Sequence, residues 1–341
     1  MEPFVTVLIP TLNEGRYIRS LLENIIAQDY PANRLEVFII DGLSNDRTGK
    51  VVEEYHQNHP NIQLLLNERK FVPFALNAGI KSSRGEVIIR MDAHSRYPEN
   101  YISRLVKYLF ELSADNVGGI WVTKPANDSR KAISIAVALS SVFGVGDAHY
   151  RLGTREIRKV DTVPFGCFRK SLFCRIGLFD EELLRNQDDE FNARILENGG
   201  SIYLIPDLEI SYFARPDISS LAKMFYQYGF FKPLVNSKLK KPASIRQFVP
   251  PLFVLFLTLG WAGIFILPEL LIVYGVGLGL YLLSDIFFTF REFLKHRKRF
   301  LLIYLPWIFF VQHISYGFGY LAGIVNFVFV NRSQTTIKNS R

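Results

Sequence analysis

The residues best placed to do chemistry stand in Glu86-Val-Ile-Ile-Arg-Met-Asp92-Ala-His94-Ser-Arg96, where an apolar run of strand type ends in a carboxylate and an imidazole two residues apart. In open α/β sheets, ligands bind in the crevice beyond the carboxyl ends of the strands. An oxygen and a nitrogen ligand delivered there, Asp92 and His94, suit a divalent cation able to hold a diphosphate. A histidine beside a strand end also serves purely structural roles. A second acidic group, Asn186-Gln-Asp188-Asp189-Glu190, precedes Phe191 and Ile195 at helical spacing, which puts Asp188 at a helix start. Carboxylates at that end are stabilised by the helix dipole even without a catalytic role. A third, Asp41, closes the apolar run Glu36-Val-Phe-Ile-Ile40, although Asp-Gly is equally a turn dipeptide.

Strands and helices alternate ahead of these groups. Val5-Thr-Val-Leu-Ile-Pro10 reads as a buried strand running into Thr11-Leu-Asn13-Glu14, with Asn13 expected to cap a helix. Tyr17, Ile18, Leu21, Leu22, Ile25 and Ile26 then recur at helical spacing. A second strand ends at Asp41 and leads to a helix carrying Val51, Val52 and Tyr55. Ile62–Leu66 and a helix through Phe74–Gly79 make a third unit, and a fourth strand carries Asp92 and His94. This order predicts βαβ units and a doubly wound, mainly parallel sheet of α/β class. No GxGxxG or GxxxxGK[ST] loop is present, which excludes an ordinary dinucleotide fold and a P-loop. Beyond residue 115 the pattern loosens. Val117–Val122 reads as a strand, Ala132–Val145 as a core or interfacial helix, and 144–161 as a mobile loop. Cys167 and Cys174 read as two small core residues.

The rear of the chain is of another kind. Of 341 residues, 49% are hydrophobic and the net charge is +8. From Lys232 onward there are 13 Lys/Arg against 3 Asp/Glu, a balance of +10 that leaves −2 for the front. This asymmetry fits a membrane-surface enzyme and excludes a nucleic-acid binder. An aromatic amphipathic helix around Phe225–Phe231 is expected to lie in the headgroup plane. A basic juxtamembrane linker follows over 232–247, then a transmembrane region over 248–331 and a tail over 332–341. The expected spans are 248–267, 270–290 and 301–330, the last either one tilted helix or a broken pair. Asp285, inside the second span, should face protein, water or the headgroup boundary. The loop Arg291–Arg299 holds five positive charges and should be cytoplasmic. Met1-Glu-Pro-Phe lacks a signal-peptide pattern, so residues 1–231 are expected as a cytoplasmic domain of a multi-pass cell-membrane protein. Three spans with one carboxylate are poor material for a transporter.

Four stretches carry a resemblance. Pro10-Thr-Leu-Asn-Glu14, Asp41-Gly-Leu-Ser-Asn-Asp46, Asp92-Ala-His94 and Gln187-Asp188-Asp189-Glu190 match, in order and spacing, the family 2 glycosyltransferases with their GT-A fold. Arg90–Pro98 and Asn186–Asn192 together resemble the succinoglycan-type exopolysaccharide glucosyltransferases. The resemblance covers about residues 4–215 and implies roles for individual positions. Pro10, Thr11, Glu14 and Asp41 would hold the base and ribose of a nucleotide-sugar donor, with Asn77 a further donor contact. Asp92 and His94 would hold Mn2+ or Mg2+ and through it the donor diphosphate; the family motif is usually Asp-x-Asp, and the imidazole favours Mn2+. Asp188, or Asp189 beside it, would be the general base of an inverting transfer. The Gln-x-x-Arg-Trp motif of processive members is absent at Gln227–Lys232, which implies single addition.

The expected protein is therefore a membrane-attached glycosyltransferase. It would move a sugar from a donor, expected to be UDP-linked, to a lipid-linked polyprenyl saccharide in exopolysaccharide or glycan assembly, beside other assembly enzymes. A polyprenyl-phosphate sugar synthase is the neighbouring alternative. A non-catalytic membrane scaffold or nucleotide-sugar-binding protein is the alternative of another class, and it has no need of Asp92, His94 and Asp188 together.

Overall fold

The computed structural model describes residues 2–242 and 244–329, so the tail expected over 332–341 lies outside the described residues. In chain order the elements begin β1 (Val5–Thr11), α1 (Ile18–Ile26), β2 (Leu35–Asp41), α2 (Thr48–His56), β3 (Ile62–Leu66), α3 (Val72–Ser82) and β4 (Val87–Arg90). Next come β5 (Ser95–Arg96), α4 (Tyr101–Glu111), β6 (Asn116–Lys124), α5 (Arg130–Ala138), α6 (Val142–Val145) and α7 (His149–Leu152). The chain continues through β7 (Arg158–Lys159), β8 (Cys167–Arg169), α8 (Lys170–Ile176), α9 (Gln187–Glu197) and β9 (Ile202–Phe213). It closes with α10 (Ile218–Leu239), α11 (Val249–Ile264), α12 (Leu270–His296) and α13 (Leu301–Ile324). Two compact units result, one of residues up to Val122 plus His149–Tyr212, the other of Thr123–Ala148 plus the chain from Phe213.

The first unit is built on a sheet of order β3-β2-β1-β4-β8-β6-β9-β5, with β7 on β9. Strands β1 to β4 are parallel, and β1, β2 and β4 are buried throughout, as in sheets covered on both faces. Successive side chains on a strand point to opposite faces, and each face has its own core. Val5, Val7 and Ile9 meet α1, α2 and α4 in one cluster; Leu8, Phe38 and Ile40 meet α3, α8 and α9 in the other. The parallel order stops at β4, where β8 pairs antiparallel, and β6 continues the same way. The sheet is thus mixed, its parallel part β3-β2-β1-β4 continued by antiparallel strands. The reversal of strand order places the switch point between β1 and β4, which is where a crevice opens in doubly wound sheets.

Several expectations are corrected here. Asn13 does not cap a helix: α1 begins at Ile18, and Asn13 sits at φ 57° with its Oδ1 accepting from the Asn45 N–H at 2.9 Å. Tyr17 and Ile26 are exposed rather than on the apolar face. Strand β4 stops at Arg90, so Asp92 and His94 lie in the loop beyond it. The segment 144–161, expected as a loop, holds α7 and β7, the latter paired with β9. Cys167 is buried but Cys174 is exposed.

In the second unit, three helices are long and apolar enough to cross a membrane. The stretch from Leu301 is one helix running through Pro306, not a broken pair. Asp285 is buried within this unit and accepts a hydrogen bond from Thr289 Oγ1 at 3.2 Å, so it faces protein. The aromatic helix around Phe225–Phe231 is part of α10, which also takes up Lys232 and Lys238 from the expected linker. It is a packed helix, with Leu221, Met224, Gln227, Phe231 and Val235 buried and α13 its main neighbour. The approach is close enough that a Cβ on Gly319 would stand 2.1 Å from the Tyr226 carbonyl oxygen, and one on Gly323 2.2 Å from that of Phe230. Gly319-x-x-x-Gly323 is the small-residue spacing by which apolar helices bring their backbones together. Gly319→Leu is expected to cost about 1–3 kcal/mol through overpacking. Thermal unfolding in detergent checks this against Gly275→Leu, where a side chain meets open space. Equal losses in both variants would contradict the packing account.

Candidate active site

The loop after β4 enters the crevice at the switch point. Met91 N–H donates to the Leu8 carbonyl at 3.0 Å, which carries the β1–β4 ladder up to the loop. His94 Nδ1 then lies 2.8 Å from Asp92 Oδ1 and 3.7 Å from Glu14 Oε1. The structure thus brings together three residues from two of the four stretches singled out above. Glu14 itself is buried, and its backbone N–H donates to Thr48 Oγ1 at 2.9 Å.

At the ends of β1 and β2, Pro10 is opposite Ile40 and Thr11 is opposite Asp41. Asp41 is buried; its Oδ1 accepts from Ser44 Oγ at 2.5 Å and from Thr11 Oγ1 at 3.3 Å, and its Oδ2 accepts from the Ser44 N–H at 2.8 Å. These bonds satisfy the turn reading of Asp41, and a carboxylate with about four acceptor sites retains one on Oδ2 for a ligand. Asp46 joins the two stretches. Its Oδ2 accepts from the Gly15 N–H at 2.8 Å, and its Oδ1 from Thr48 Oγ1 at 2.5 Å and the Thr48 N–H at 2.9 Å. Burial alone would raise the Asp46 carboxyl pKa, but the bonds from Thr48 and Gly15 outweigh it and hold the group below its ordinary value.

Asp188 approaches from the other side. It occupies the first turn of α9, whose N-cap, Asn186, is left-handed at φ 59°, a conformation that Asn tolerates better than most residues. Asp188 Oδ1 pairs with Arg90 Nη1, the last residue of β4. Burial pushes the Asp188 carboxyl above its ordinary value, and the Arg90 guanidinium opposes the rise without cancelling it. Arg90 is itself buried, and the Asp188 and Asp92 carboxylates overcome its desolvation to hold its pKa above the usual value. Its guanidinium carbon sits 5.7 Å from the centre of the Phe165 ring. Asp188 keeps about a third of its side-chain exposure, so a reacting group can reach it.

Two neighbours are structural. Glu190 is buried and held at both oxygens by Arg194, at 2.6 and 2.8 Å, while Arg194 also donates to the Ile176 and Leu178 carbonyls. Asn77, expected as a donor contact, lies inside α3 and spends its amide on the chain after α8. Its Nδ2 donates to the Phe179 carbonyl and Glu181 Oε1, both at 2.9 Å, and its Oδ1 accepts from the Phe179 N–H at 3.0 Å. That set uses its donors and one acceptor site, so Asn77 braces the loop after α8.

Residues 6–177 match the model described as Glycosyl transferase family 2. The chain belongs to this family. Among relatives of this family 2 glycosyltransferase, the dolichyl N-acetyl-α-D-glucosaminyl phosphate 3-β-D-2,3-diacetamido-2,3-dideoxy-β-D-glucuronosyltransferase of Methanococcus voltae is 27% identical over 330 residues. That alignment covers 94% of this chain and 97% of the relative. The succinoglycan biosynthesis protein ExoA of Rhizobium meliloti is 28% identical over 249 residues, 72% of this chain and 73% of the relative. In fold, the chain is similar to the mannosyltransferase PcManGT of Pyrobaculum calidifontis in complex with GDP-Man and Mn2+. The TM-score is 0.55 at 20% identity, covering 93% of this chain and 87% of the other. The mixed sheet is accordingly of GT-A type, and the enzyme takes its sugar from a nucleotide-sugar donor.

The donor set of this glycosyltransferase can be tested against a divalent ion. Two ligands at right angles on an ion, each about 2.1 Å away, lie about 3 Å apart; the Asp92 Oδ1 to His94 Nδ1 separation of 2.8 Å fits. Among the described residues no cluster of three or more His, Cys, Asp or Glu side chains forms a metal site. A two-ligand site suits an ion that keeps substrate phosphates and waters as its remaining ligands. Two residues here went without a role in the sequence reading, Arg90 and Asp46. The signal for Arg90 was a charge closing an otherwise apolar buried strand, which requires a partner.

Proposed function

We propose that this family 2 glycosyltransferase is a multi-pass, single-addition, inverting enzyme that extends a lipid-linked saccharide at the cytoplasmic face of the cell membrane. The observation that carries the reading is the convergence on one crevice of the Asp92–His94 pair and the partly exposed Asp188. The acceptor class is supported by the name of the Methanococcus voltae relative, which specifies a saccharide already on a dolichyl phosphate. The basic loop at Arg291–Arg299 supports the cytoplasmic orientation.

In this reading Pro10, Thr11, Glu14 and Asp41 line the base and ribose end of a donor, with UDP the expected nucleotide. Asp92 and His94 would hold Mn2+ or Mg2+, which would supply Lewis acidity to offset charge on the departing diphosphate. Asp188 accepts the proton of the acceptor hydroxyl, whose oxygen forms the new bond to the anomeric carbon. The bond from that carbon to the diphosphate breaks on the opposite face, which inverts the centre. Arg90 keeps Asp188 ionised and aimed.

The deciding experiment is donor hydrolysis by the purified protein in detergent, across a panel of nucleotide sugars, with and without Mn2+. Metal-dependent release of nucleoside diphosphate from one donor is expected. Absence of both turnover and metal-dependent nucleotide binding across the whole panel would overturn the reading.

Arg90 also sets a pH dependence. Because the folded Asp188 pKa is raised, the acid limb of kcat/KM should lie above the ordinary aspartate range. Arg90→Met removes a group that lowers this pKa, so the limb should move further up and activity should fall fastest at acidic pH. A limb that stays in place or moves down would separate Asp188 from the rate.

A further inference from the structure

The loop that carries Asp92 is closed by one hydroxyl. Asp92 N–H donates to Tyr97 Oη at 2.6 Å, and Tyr97 Oη lies 3.3 Å from the Asp92 carbonyl oxygen, to which it donates. One phenol thus holds both peptide groups of the residue whose carboxylate faces His94. The Tyr97 ring is buried, with ring centres of Tyr101 at 4.7 Å and Phe165 at 6.1 Å, so the hydroxyl is held in place from behind.

Tyr97 is in turn fixed to α1. Asn24 Oδ1 accepts from the Tyr97 N–H at 3.0 Å, and Asn24 Nδ2 donates to the Tyr97 carbonyl at 2.9 Å. Just past the C-terminal end of α1, Gln28 repeats the arrangement. Its Nε2 donates to the Pro98 carbonyl at 2.8 Å, and its Oε1 accepts from the Ile102 N–H at 3.1 Å. Two side-chain amides, one on α1 and one just past its end, therefore grip the backbone just after the loop, and the phenol carries that grip back to Asp92.

A loop between two strands is ordinarily the mobile part of a sheet protein, yet ligand atoms need a geometry set to a fraction of an ångström. We infer that Tyr97, anchored by Asn24, is a positioning residue that sets the Asp92 carboxylate at its distance from His94 Nδ1 and so tunes divalent-ion and diphosphate affinity. The inference rests on the donor-site reading given under Proposed function. Tyr97 touches neither donor nor acceptor in this role; it acts through Asp92.

The test is Mn2+ binding followed by electron paramagnetic resonance, with UDP as the nucleotide probe. UDP affinity is measured with and without Mn2+ for the wild type, Asp92→Ala, Tyr97→Phe and Asn24→Ala. Tyr97→Phe keeps the ring and removes only the hydroxyl. Its Mn2+-dependent UDP affinity should fall by about 10–100-fold, the range found when partners behind a metal ligand are removed, while metal-free UDP affinity stays within about twofold. In turnover, KM for the donor should rise more than kcat falls. If Tyr97→Phe does not fold, Asn24→Ala carries the same expectation and decides.

Unchanged Mn2+-dependent affinity in Tyr97→Phe, with the loss present in Asp92→Ala, overturns the positioning role and leaves the donor site standing. Equal loss of metal-free and metal-dependent binding also overturns it, since that is general damage. Retention of Mn2+-dependent binding in Asp92→Ala, or a wild type that binds no Mn2+ with UDP, overturns the donor-site reading and this inference with it.

Discussion

Asp188→Asn is expected to lower kcat by about 10²–10⁴-fold, the usual contribution of a positioned general base, with donor affinity nearly unchanged. Asparagine has the shape of aspartate and can still accept from Arg90 through its amide oxygen, so the first turn of α9 should keep its place. What it lacks is a site for the acceptor proton. The donor should not notice, because its proposed contacts are on β1, β2 and the loop after β4. Product formation and nucleotide titration on the same preparation check both halves of this expectation. Asp189→Asn should cost far less, as it is Asp188 that pairs with Arg90. Glu190→Gln should appear in thermal unfolding rather than in kcat, because Glu190 is committed to Arg194. Full activity in Asp188→Asn would point to an acceptor that attacks without a base, such as a lipid phosphate.

The parts of this site that could be read from sequence are those whose physics is local. Strands β1, β2 and β4 are buried on both faces and therefore appear as unbroken apolar runs, each closing on a polar residue at its carboxyl end. In the antiparallel half β6 was legible, but β5 and β7, of two residues, and β8, of three, are too short to carry a period. Long-range partners were equally hidden. Arg90 and Asp188 are 98 residues apart, and Asn77 and Phe179 are 102 apart. A buried polar side chain in a sequence announces that it needs a partner without saying which. The loop that Asn77 braces was therefore hidden in the sequence. The docking of helix α10 was hidden for a different reason. It turns on Gly229, Gly319 and Gly323, whose missing side chains let two backbones meet.

Asp92→Ala should remove the metal dependence of nucleotide binding and lower kcat/KM by about 10²-fold or more, since metal neutralisation of a leaving group is worth several kcal/mol and each 1.36 kcal/mol is a factor of ten. The carboxylate is the one ligand here that carries negative charge, and alanine leaves a single imidazole, too little to hold an ion beside a diphosphate. His94→Ala should be milder, because Asp92 remains and the diphosphate supplies further oxygens. The more telling variant is His94→Asp. A second carboxylate makes the site all-oxygen, which suits Mg2+, whereas the imidazole nitrogen favours Mn2+. The ratio of activity in Mg2+ to that in Mn2+ should therefore rise in His94→Asp relative to wild type. Glu14 complicates this in a useful direction. Its Oε1 is 3.7 Å from His94 Nδ1, so a carboxylate at position 94 would face two others and repel them unless an ion were bound. His94→Asp should accordingly bind nucleotide poorly without metal and gain more from Mg2+ than the wild type does. An unchanged metal preference would mean that His94 is a structural neighbour of Asp92 rather than a ligand, and the ion would then rest on Asp92 and the donor alone.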